Sequence, residues 1–576
     1  MIMCGIFSLL NNQEITEEIK DAFNKGQKRG PEYSKIININ KLTLGFHRLA
    51  INGINSESNQ PLIINNITLI CNGEIYNYKE LCILCNITLN TQSDCEVIIH
   101  LYDKYGIEQT LQMLDGVFSF VLHDYRDSSI ETIYVARDPY GVRPLYILEN
   151  NRSNNSNFYI GYASELKVLY PLKTHEYQIR HFVPGTYSKL SCKQSNGLYY
   201  NYIDKEKSYC GIPFQIYMDN FDKRYYSEII YDKLSHAVYK RVVGTSDRPI
   251  ACLLSGGLDS SLITALVNKY YTHTDGPMET YSIGLEGSED LKYAKIVADY
   301  LGTKHTQIIV TEDDFFNAIP EVIEAIESYD TTTVRASVGN YLIGKYISKN
   351  SKAKVIFNGD GSDELTGGYM YFHKCPDKIE FNSECRRLIK DIHMFDVLRS
   401  DKSISSHGLE PRTPFLDRGF VEFYLSLPYD VRYHVKEKKC EKFLLRLAIY
   451  DIDPKLIPNE ILWRTKEAFS DGVSSHSRSW FEIIKEKCEY MIQNNNFMRT
   501  NLENKKHILN TLNDNNLPTT LEQTYYRYIY DYYYKGTSNV VPYFWMPKYI
   551  KANDASARTL DIYKKNDERE DFLDLE

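Results

Sequence analysis

The sequence lacks an apolar run long enough to cross a membrane, and its start lacks a basic stretch followed by an apolar core. Neither a membrane protein nor a secretory signal peptide is therefore expected. Its 12 cysteines are scattered over 576 residues without the dense spacing of a disulfide framework. Reduced thiols in the cytoplasm are the expectation. A net charge of −9 argues against nucleic acid as a partner.

A glycine-rich loop at residues 255–261 also lacks the Gly-Lys-Ser/Thr ending of a Walker loop and does not match the dinucleotide fingerprint. It follows an apolar run of strand length, residues 250–254, and precedes an apolar stretch of helical density, residues 262–267. A strand that leads through such a loop into a helix presents free backbone N–H groups, which bind phosphate. The structural alternative is a tight strand-to-helix turn.

The residue types of this loop favour the phosphate interpretation. Gly256 and Gly257 let the backbone approach an anion closely. Ser255 and Ser260 add hydroxyl donors, and Asp259 can hold a metal ion on a polyphosphate. The loop resembles the pyrophosphate-binding loop of ATP pyrophosphatases, which split ATP between its α- and β-phosphates and adenylate a substrate.

Helix and strand patterns alternate after residue 227. Strands are predicted at 279–285, 307–310 and 354–357, and a helix at 288–301 is closed by Gly302. This alternation predicts a parallel sheet with helices on both faces, and ligands then bind at the carboxyl ends of its strands.

An acidic loop at residues 358–364 follows the last of these strands and carries three acids in seven residues. A surface loop of this kind would have no special role. Because this loop follows a buried strand and faces the glycine-rich loop, we predict that the two loops together form a metal-phosphate site. Asp259 and Asp363 are the candidate Mg²⁺ ligands on the departing pyrophosphate.

Cys4 stands almost at the start of the chain on a predicted strand. One interpretation is a small core residue. The other is an N-terminal nucleophile whose own α-amine, with an ordinary pKa near 7.7–8.0, acts as the base for the thiol. The second interpretation requires that Met1, Ile2 and Met3 are removed, which N-terminal sequencing or intact mass would detect.

Three later segments carry polar residues in or next to predicted strands or a helix start, and each has a structural interpretation on its own. Arg48 on a predicted strand could form a surface ion pair, and Asn72-Gly73, where a strand is predicted to break, could form a hairpin turn. Asp94 could cap a helix.

Together with the segments 116–120, 136–146 and 163–167, these residues resemble class II glutamine amidotransferases over about residues 3–190. The resemblance implies an N-terminal-nucleophile sandwich of α-β-β-α layers. It also implies glutamine-binding roles for Arg48, Leu49, Ala50, Ile51, Asn52, Asn72, Gly73, Glu74 and Asp94.

The chemistry of these residues agrees with such roles. Arg48 can clamp the α-carboxylate, Glu74 and Asp94 can pair with the α-ammonium, and Asn72 with the Gly73 N–H can form an oxyanion hole. The family also has a turn that reads Arg-Gly-Pro-Asp. The matching residues here, 29–32, read Arg-Gly-Pro-Glu, so Glu32 replaces the family's Asp.

The second half resembles glutamine-hydrolysing asparagine synthetases, and its end is closer to the eukaryotic form. The matching segments are 329–337, 361–365, 371–374, 407–417, 464–472, 543–548 and 555–560. The implied organisation is an amidotransferase domain at 4–191, a linker at 192–225, a synthetase domain of the ATP-pyrophosphatase type at 226–550 and a C-terminal tail at 551–576. The implied fold class is therefore α+β for the first domain and α/β for the second.

The resemblance also implies the residues of the second site. ATP-binding residues are Leu253, Ser255, Gly256, Gly257, Asp259, Ser260, Ile283, Asn358 and Gly359. Aspartate-binding residues are Thr332, Thr333, Arg335, Asp396, Arg399 and Arg412. Catalytic residues over both sites are Cys4, Asn72, Gly73, Asp360 and Lys466. The family's Ser-Gly-Glu-Gly loop here reads Asn358-Gly359-Asp360-Gly361. Because Asp360 is one methylene shorter than the family's Glu, its carboxylate is displaced, and we expect this to affect the rate of synthesis.

The expected activity is ATP-dependent synthesis of asparagine from aspartate, with ammonia from glutamine and a β-aspartyl-AMP intermediate. The implied cofactors are ATP and Mg²⁺, the partners are these small molecules, and a homodimer is expected from the resemblance. One alternative is a β-lactam synthetase-like or other adenylating amidotransferase with a different acceptor. A second is an inactive glutamine or nucleotide sensor.

Overall fold

A computed structural model of the protein describes residues 2–127, 129–150, 159–193, 199–211, 213–215, 223–245, 247–272, 276–435, 439–467, 469–474, 478–494, 516–552 and 554–556. Residues 557–560 of the last family segment, and most of the predicted tail, lie outside these ranges.

The strands of the first half are β1 (Ile2–Leu10), β2 (Tyr33–Ile39), β3 (Leu42–Ala50), β4 (Leu62–Ile64), β5 (Ile67–Ile75), β6 (Gly116–Asp124), β7 (Ile130–Arg137), β8 (Tyr146–Asn150), β9 (Ile160–Ala163), β10 (Tyr177–His181), β11 (Thr186–Lys193) and β12 (Asn201–Ser208). Its helices are α1 (Glu17–Asn24), α2 (Tyr78–Cys85), α3 (Val97–Met113) and α4 (Leu166–Leu169).

The strands of the second half are β13 (Ile250–Leu253), β14 (Glu279–Leu285), β15 (Lys304–Val310), β16 (Val355–Phe357) and β17 (Glu410–Arg412). Its helices are α5 (Lys223–Val243), α6 (Leu258–Tyr270), α7 (Glu289–Leu301), α8 (Glu312–Asn317), α9 (Ile319–Ile326), α10 (Thr331–Asn350), α11 (Ser362–Thr366), α12 (Lys378–Asp391), α13 (Asp396–Ser405), α14 (Arg418–Ser426), α15 (Tyr429–Arg432), α16 (Phe443–Ile452), α17 (Asn459–Leu462), α18 (Phe469–Gly472), α19 (Trp480–Asn494) and α20 (Leu521–Tyr534). Short 3₁₀ turns lie at Gln27–Arg29, Asp94–Glu96, Tyr170–Leu172, Met370–Lys374, Ile392–Met394, Pro414–Leu416 and Ser538–Val540.

Antiparallel strands of the first half form a 12-stranded hydrogen-bonded sheet that folds into layers. Alternation along the strands explains the layers, because successive side chains point to opposite faces. In β5, Ile70 faces an inner core that it shares with Val121, while Cys71 faces a second core that includes Leu101 of α3. The predicted α-β-β-α sandwich is confirmed.

Two details of this half differ from the sequence-based expectation. β5 runs without a break through Asn72 and Gly73, because both residues pair with β6. The stretch predicted as a linker, 192–225, contains β12, which pairs with β11 and extends the sheet. Gly and Asn are poor strand formers, and the regular ladder on β6 outweighs that preference here.

The second half has a parallel five-stranded sheet in the order β15-β14-β13-β16-β17. The predicted strand at 279–285 is found with those bounds. The predicted helix is α7, which is capped by the Ser288 side chain and closed by Gly302 at a φ of 68°. The glycine-rich and acidic loops follow the neighbouring strands β13 and β16, so they meet at the same edge. No helix in the described ranges is long and apolar enough to cross a membrane.

Candidate active sites

Cys4 lies on β1, fully buried, directly across from Arg48 of β3. Its backbone N–H donates to Asn72 Oδ1 at 3.0 Å, which turns the amide nitrogen of Asn72 toward Ser164 Oγ, 3.4 Å away. Burial raises the pKa of the Cys4 thiol well above its usual range, although Arg48 opposes that shift. A neutral thiol needs a base before it can attack a carbonyl carbon.

The backbone before Cys4 continues β1 as a regular strand. Ile2 pairs with Ala50 of β3 and with Gly73 of β5. Ile2 therefore lies beside Gly73, whose backbone N–H is predicted to form part of the oxyanion hole. Removal of Met1 to Met3 from the active protein stays a prediction.

Arg48 is buried and bonded to the loop that follows β3. Its guanidinium donates to the backbone oxygens of Asn55, at 2.8 Å, and Gly53, and to the Asn59 side chain. Asp94 lies near the end of β5, where its Oδ2 accepts from the backbone N–H of Ile75 at 2.7 Å. The structure thus brings Cys4, Arg48, Asn72, Gly73 and Asp94 to adjoining strands β1, β3 and β5 and the turn after them.

The segment Leu49 to Asn52 touches the second half of the chain. Leu49 and Ile51 are fully buried in a core shared with Leu254 of the second half, so their side chains pack between the halves. The Asn52 side chain donates to Gly244 O at 2.5 Å. These residues place the backbone of the predicted glutamine site rather than offer it side chains.

Glu32, the residue that departs from the family's turn, joins this segment to the second half. Its Oε2 accepts from the Ala50 N–H at 2.7 Å, and its Oε1 pairs with Arg248 at 3.0 Å. Arg248 also donates to Ala50 O at 2.8 Å. The carboxylate and the guanidinium therefore hold both backbone groups of Ala50.

Glu74 and Arg412 pair with each other across the two halves at 3.1 Å, and both are buried. Burial raises the pKa of Glu74 well above its usual range, with Arg412 opposing. Arg412 also bonds Glu410 and the backbone of Arg241, and it is not part of the synthetase cavity described next. The expectation that Arg412 lies at the aspartate is therefore corrected: β17 directs it toward the first half.

A cavity of about 220 Å³ opens at the carboxyl edge of the parallel sheet. The predicted residues that line it are Leu253, Ser255, Gly257, Asp259, Ser260, Ile283, Thr332, Thr333, Asn358, Gly359, Asp360, Asp363, Asp396, Arg399 and Lys466. Gly256 lies behind this wall at a φ of +73°, and a Cβ there would lie 2.3 Å from the carbonyl carbon of Tyr293. A Cβ on Gly359 would lie 2.8 Å from Asp259, so glycine at 359 lets the acidic loop touch the glycine-rich loop, whereas glycine at 256 lets the glycine-rich loop touch α7.

Two lysines stand at the end of this cavity beside the glycine-rich loop. Lys442 Nζ lies 2.5 Å from Asp259 and 2.6 Å from Asp363, and Lys466 Nζ lies 2.7 Å from Asp363. Although burial opposes ionisation, the lysines hold the pKa of Asp363 well below its usual range. Ser362 Oγ donates to Asp259 at 2.8 Å. The arrangement offers cations and N–H donors to a polyphosphate.

The same two carboxylates fit the predicted magnesium ion. Lys442 Nζ within hydrogen-bond distance of both shows that Asp259 and Asp363 already converge on one cationic point. Mg²⁺ prefers oxygen ligands, and one or two carboxylates with substrate phosphates are its usual set. The described residues contain no cluster of three or more His, Cys, Asp or Glu that could hold a metal alone, so phosphates would complete the coordination.

The opposite wall of the cavity carries the acid that replaces the family's Glu. Asp360 Oδ1 accepts from Arg399 at 3.1 Å, and Arg399 also pairs with Asp396. Burial raises the pKa of Asp360 to about 6, against the effect of Arg399. Asn358 accepts from the Asp360 N–H at 3.3 Å and donates to Ser400 Oγ at 2.7 Å. Both unusual loop residues are thus held by α13.

Thr332 and Thr333 line the cavity from the start of α10, where Asp330 accepts from both hydroxyls at 3.0 and 2.7 Å. Arg335 points away from the cavity. Its guanidinium pairs with Glu522 of α20 and, at 2.7 Å, with Asp554. The expected contact of Arg335 with aspartate is therefore corrected: Arg335 follows Thr333 by two residues, a rotation of about 200° around α10, so its buried side chain lies on the opposite side of the helix, toward Glu522 and Asp554.

Several lining residues were not among the predicted site residues, although some of them belong to the acidic loop or to segments that carry the family resemblance. They are Ser282, Asp290, Glu364, Tyr369, Lys442, Arg446, Arg464, Trp545, Pro547 and Ala555. Lys442 stands among other lysines of an ordinary charged stretch, so only the fold distinguishes it. Arg464 belongs to a family segment, and its Nη1 donates to Gly256 O at 3.0 Å.

Comparison with known proteins gives matches over nearly the whole chain. Residues 3–219 match the family described as "Glutamine amidotransferase domain", and residues 230–384 and 376–528 match the family described as "Asparagine synthase". The chain is 40% identical to asparagine synthetase [glutamine-hydrolyzing] of Homo sapiens over 584 residues, 98% of this chain and 99% of that protein.

The corresponding protein of Gallus gallus is also 40% identical, over 580 residues with the same coverage. Among solved structures, NAD+ synthetase from Burkholderia pseudomallei matches 41% of this chain and 89% of that chain at 15% identity, with a TM-score of 0.19. A score this low has no bearing on function.

Proposed function

Since this chain belongs to the family of glutamine-hydrolysing asparagine synthetases, we propose that it makes L-asparagine from L-aspartate and ATP with the amide nitrogen of L-glutamine. The products are AMP, pyrophosphate and L-glutamate. The observation that carries the proposal is the presence, in one chain 40% identical to such enzymes over 98% of its length, of a buried thiol site and a separate phosphate-binding cavity.

In the first site, the Cys4 sulfur attacks the amide carbon of glutamine and forms a thioester, and ammonia leaves. Water then attacks the thioester carbon, the bond to sulfur breaks, and glutamate is released with the Cys4 thiol restored. Arg48 holds the α-carboxylate, and Asp94 holds the α-ammonium. Asn72 and the Gly73 N–H stabilise the developing oxyanion. The bond from the Cys4 N–H to Asn72 Oδ1 supports this role, because it fixes the amide group so that its oxygen faces Cys4 N and its nitrogen remains a donor. Glu74 acts through Arg412 rather than alone, since the two are paired.

In the second site, a side-chain carboxylate oxygen of aspartate attacks the α-phosphorus of ATP, and pyrophosphate leaves. The glycine-rich loop, Lys442 and Lys466 receive the phosphates, and Arg399 with Thr332 and Thr333 orients aspartate. Mg²⁺ bound at Asp259 and Asp363 would neutralise charge on the leaving pyrophosphate. Ammonia then displaces AMP from the aspartyl adenylate, after passing inside the protein from the first site.

We also place the enzyme in the cytoplasm, a proposal supported by its twelve free cysteine thiols. A homodimer is proposed on the family resemblance alone. Size-exclusion chromatography with light scattering tests it.

Incubation with labelled ATP, aspartate and glutamine is expected to yield AMP and pyrophosphate in step with asparagine and glutamate, measured by mass spectrometry. The glycine-rich loop lacks a Walker lysine. Lys442 and Lys466 beside it would instead bind the β- and γ-phosphates, which leave together as pyrophosphate. Release of ADP and phosphate would contradict the mechanism. Adenylate formation with a different acceptor, in place of aspartate, would support a β-lactam synthetase-like enzyme, and binding without turnover would support a sensor.

Shortening the Glu32 side chain is expected to weaken glutamine use and spare the second site. Glu32→Asp cannot span both Ala50 N–H and Arg248, so the backbone beside Arg48 loses one charge-assisted hydrogen bond, worth about 1.5 kcal/mol. The KM for glutamine should rise about tenfold, while ammonia-dependent synthesis is unchanged. Steady-state kinetics with each nitrogen source measures both.

Two matched variants locate this effect. Glu32→Gln keeps the length and the bond to Ala50, so its KM should lie between those of the wild type and Glu32→Asp. Arg248→Met removes the second partner of Glu32 together with the hydrogen bond to Ala50 O. An unchanged KM in Glu32→Asp would show that the clamp on Ala50 does not hold the glutamine site.

A further inference from the structure

The end of the described chain forms one wall of the synthetase cavity. We call residues 541–552 and 554–556 the C-terminal strap. Its Trp545, Pro547 and Ala555 line the cavity. The Trp545 ring is 8% exposed, and its centroid lies 5.2 Å from that of Tyr369, another lining residue. The strap therefore stands between solvent and the place where aspartate and ATP react.

The strap is fastened by polar bonds at both of its ends. The Trp545 N–H donates to Asp330 Oδ1 at 2.7 Å, and Asp330 is the N-cap of α10. Near the other end, Ser556 Oγ donates to Asp471 Oδ1 at 2.8 Å. Asp554 forms two bonds to Arg335, at 2.7 and 2.8 Å.

Arg335 joins the strap to α20 through ion pairs. Its side chain is 3% exposed, and it holds two carboxylates at once, Asp554 of the strap and Glu522 of α20. Removing one partner of a buried ion pair leaves an uncompensated charge and is strongly destabilising for that contact. Because Arg335 lies outside the cavity, it acts on the reaction through its neighbours, and its pair with Asp554 links it to the strap.

We propose that Arg335 is a positioning residue that keeps the C-terminal strap closed over the aspartyl adenylate and so excludes water. The inference rests on the proposed function and extends it. Water that reaches the adenylate adds to its side-chain acyl carbon, and the acyl carbon–oxygen bond to AMP breaks. That reaction returns aspartate, AMP and a proton, so ATP is split without a product. Ammonia in the same position forms the amide and releases the same AMP. Exclusion of bulk water is what favours the second outcome.

The test is the ratio of AMP to asparagine at saturating ammonium, which bypasses the first site. Arg335→Gln and Asp554→Asn should each raise this ratio several-fold above the wild-type value, with pyrophosphate release retained. The double variant should be no worse than Arg335→Gln alone, because that single variant already removes the contact between Arg335 and Asp554. The glutaminase rate of each protein reports that the chain has folded.

Asp531→Asn is the matched control, because it removes the carboxylate that pairs with another arginine, Arg527, within α20, and Asp531 does not line the cavity. Its ratio should equal that of the wild type. A wild-type ratio in both Arg335→Gln and Asp554→Asn would overturn the proposal. So would a raised KM for aspartate in Arg335→Gln alone, which would return Arg335 to the aspartate site. A wild type that forms no asparagine would instead contradict the proposed function.

Discussion

Cys4→Ala is expected to lower glutamine-dependent asparagine synthesis about a thousandfold or more, while ammonia-dependent synthesis stays within about twofold of the wild type. Loss of the attacking atom removes the covalent route entirely. The cavity that we propose as the ATP site is lined by residues of the second half only, from Leu253 to Ala555. Asparagine measured with each nitrogen source, and glutamate released from glutamine, report the two activities.

A neighbouring cysteine gives the matched control for that variant. Cys71 is also fully buried, on β5, and its backbone rather than its thiol bonds Gln60. Cys71→Ala removes the same atoms from the same domain, so it should retain both activities. Intact mass must accompany each assay, because the Cys4 amine can serve as the base only when Cys4 is the first residue. Loss of both activities in a folded Cys4→Ala protein would show that the sites are not separable.

The sequence predicted the positions of the two loops because the residues that form each loop are neighbours in the chain. The glycine-rich loop and the acidic loop each combine a strand, glycines and short polar side chains within ten positions. Parallel strands then bring the two loops to one edge, as Gly359 against Asp259 shows. Alternation along β5 likewise accounts for the layers of the first half.

The predictions failed where a role depends on the direction of one side chain. Thr333 and Arg335 belong to one segment, yet one faces the cavity and the other faces Glu522 and Asp554. The side chain of Arg412 also points away from the cavity, because its position on β17 directs it toward Glu74. Adjacent positions on a helix or strand point in different directions, and only the packing of distant elements decides which direction meets the substrate.

Lys442 shows the limit of sequence patterns most directly. It stands in a charged stretch and lies 183 residues from Asp259 in the chain. Its ammonium nevertheless bridges the two predicted metal ligands. Trp545 reaches the same cavity from the last described segment. Contacts over such separations arise from topology, and no local spacing encodes them.

Asp360 carries the second large expected effect, because its two oxygens have different surroundings. Oδ1 is held by Arg399, whereas Oδ2 is buried and has no hydrogen-bond partner in the described part of the chain. The acid lines the cavity beside Asn358, so Oδ2 is the atom available to a substrate donor. Asp360→Asn keeps the shape but replaces a charged acceptor by an amide. Arg399 retains Asp396 as a partner, so the substitution leaves no unpaired guanidinium.

Asp360→Asn is therefore expected to lower asparagine synthesis about 100-fold, together with aspartate-dependent release of pyrophosphate, while glutamine hydrolysis is unchanged. Asp360→Glu restores the family's side chain and should retain or raise the synthetic rate. Both rates are measured with ammonium as the nitrogen source, and glutaminase turnover serves as the internal control for folding. A full synthetic rate in Asp360→Asn would remove this carboxylate from the mechanism. A severe loss in Asp360→Glu would show instead that Asn358, Asp360 and Ser400 fit one another so closely that the shorter acid is required.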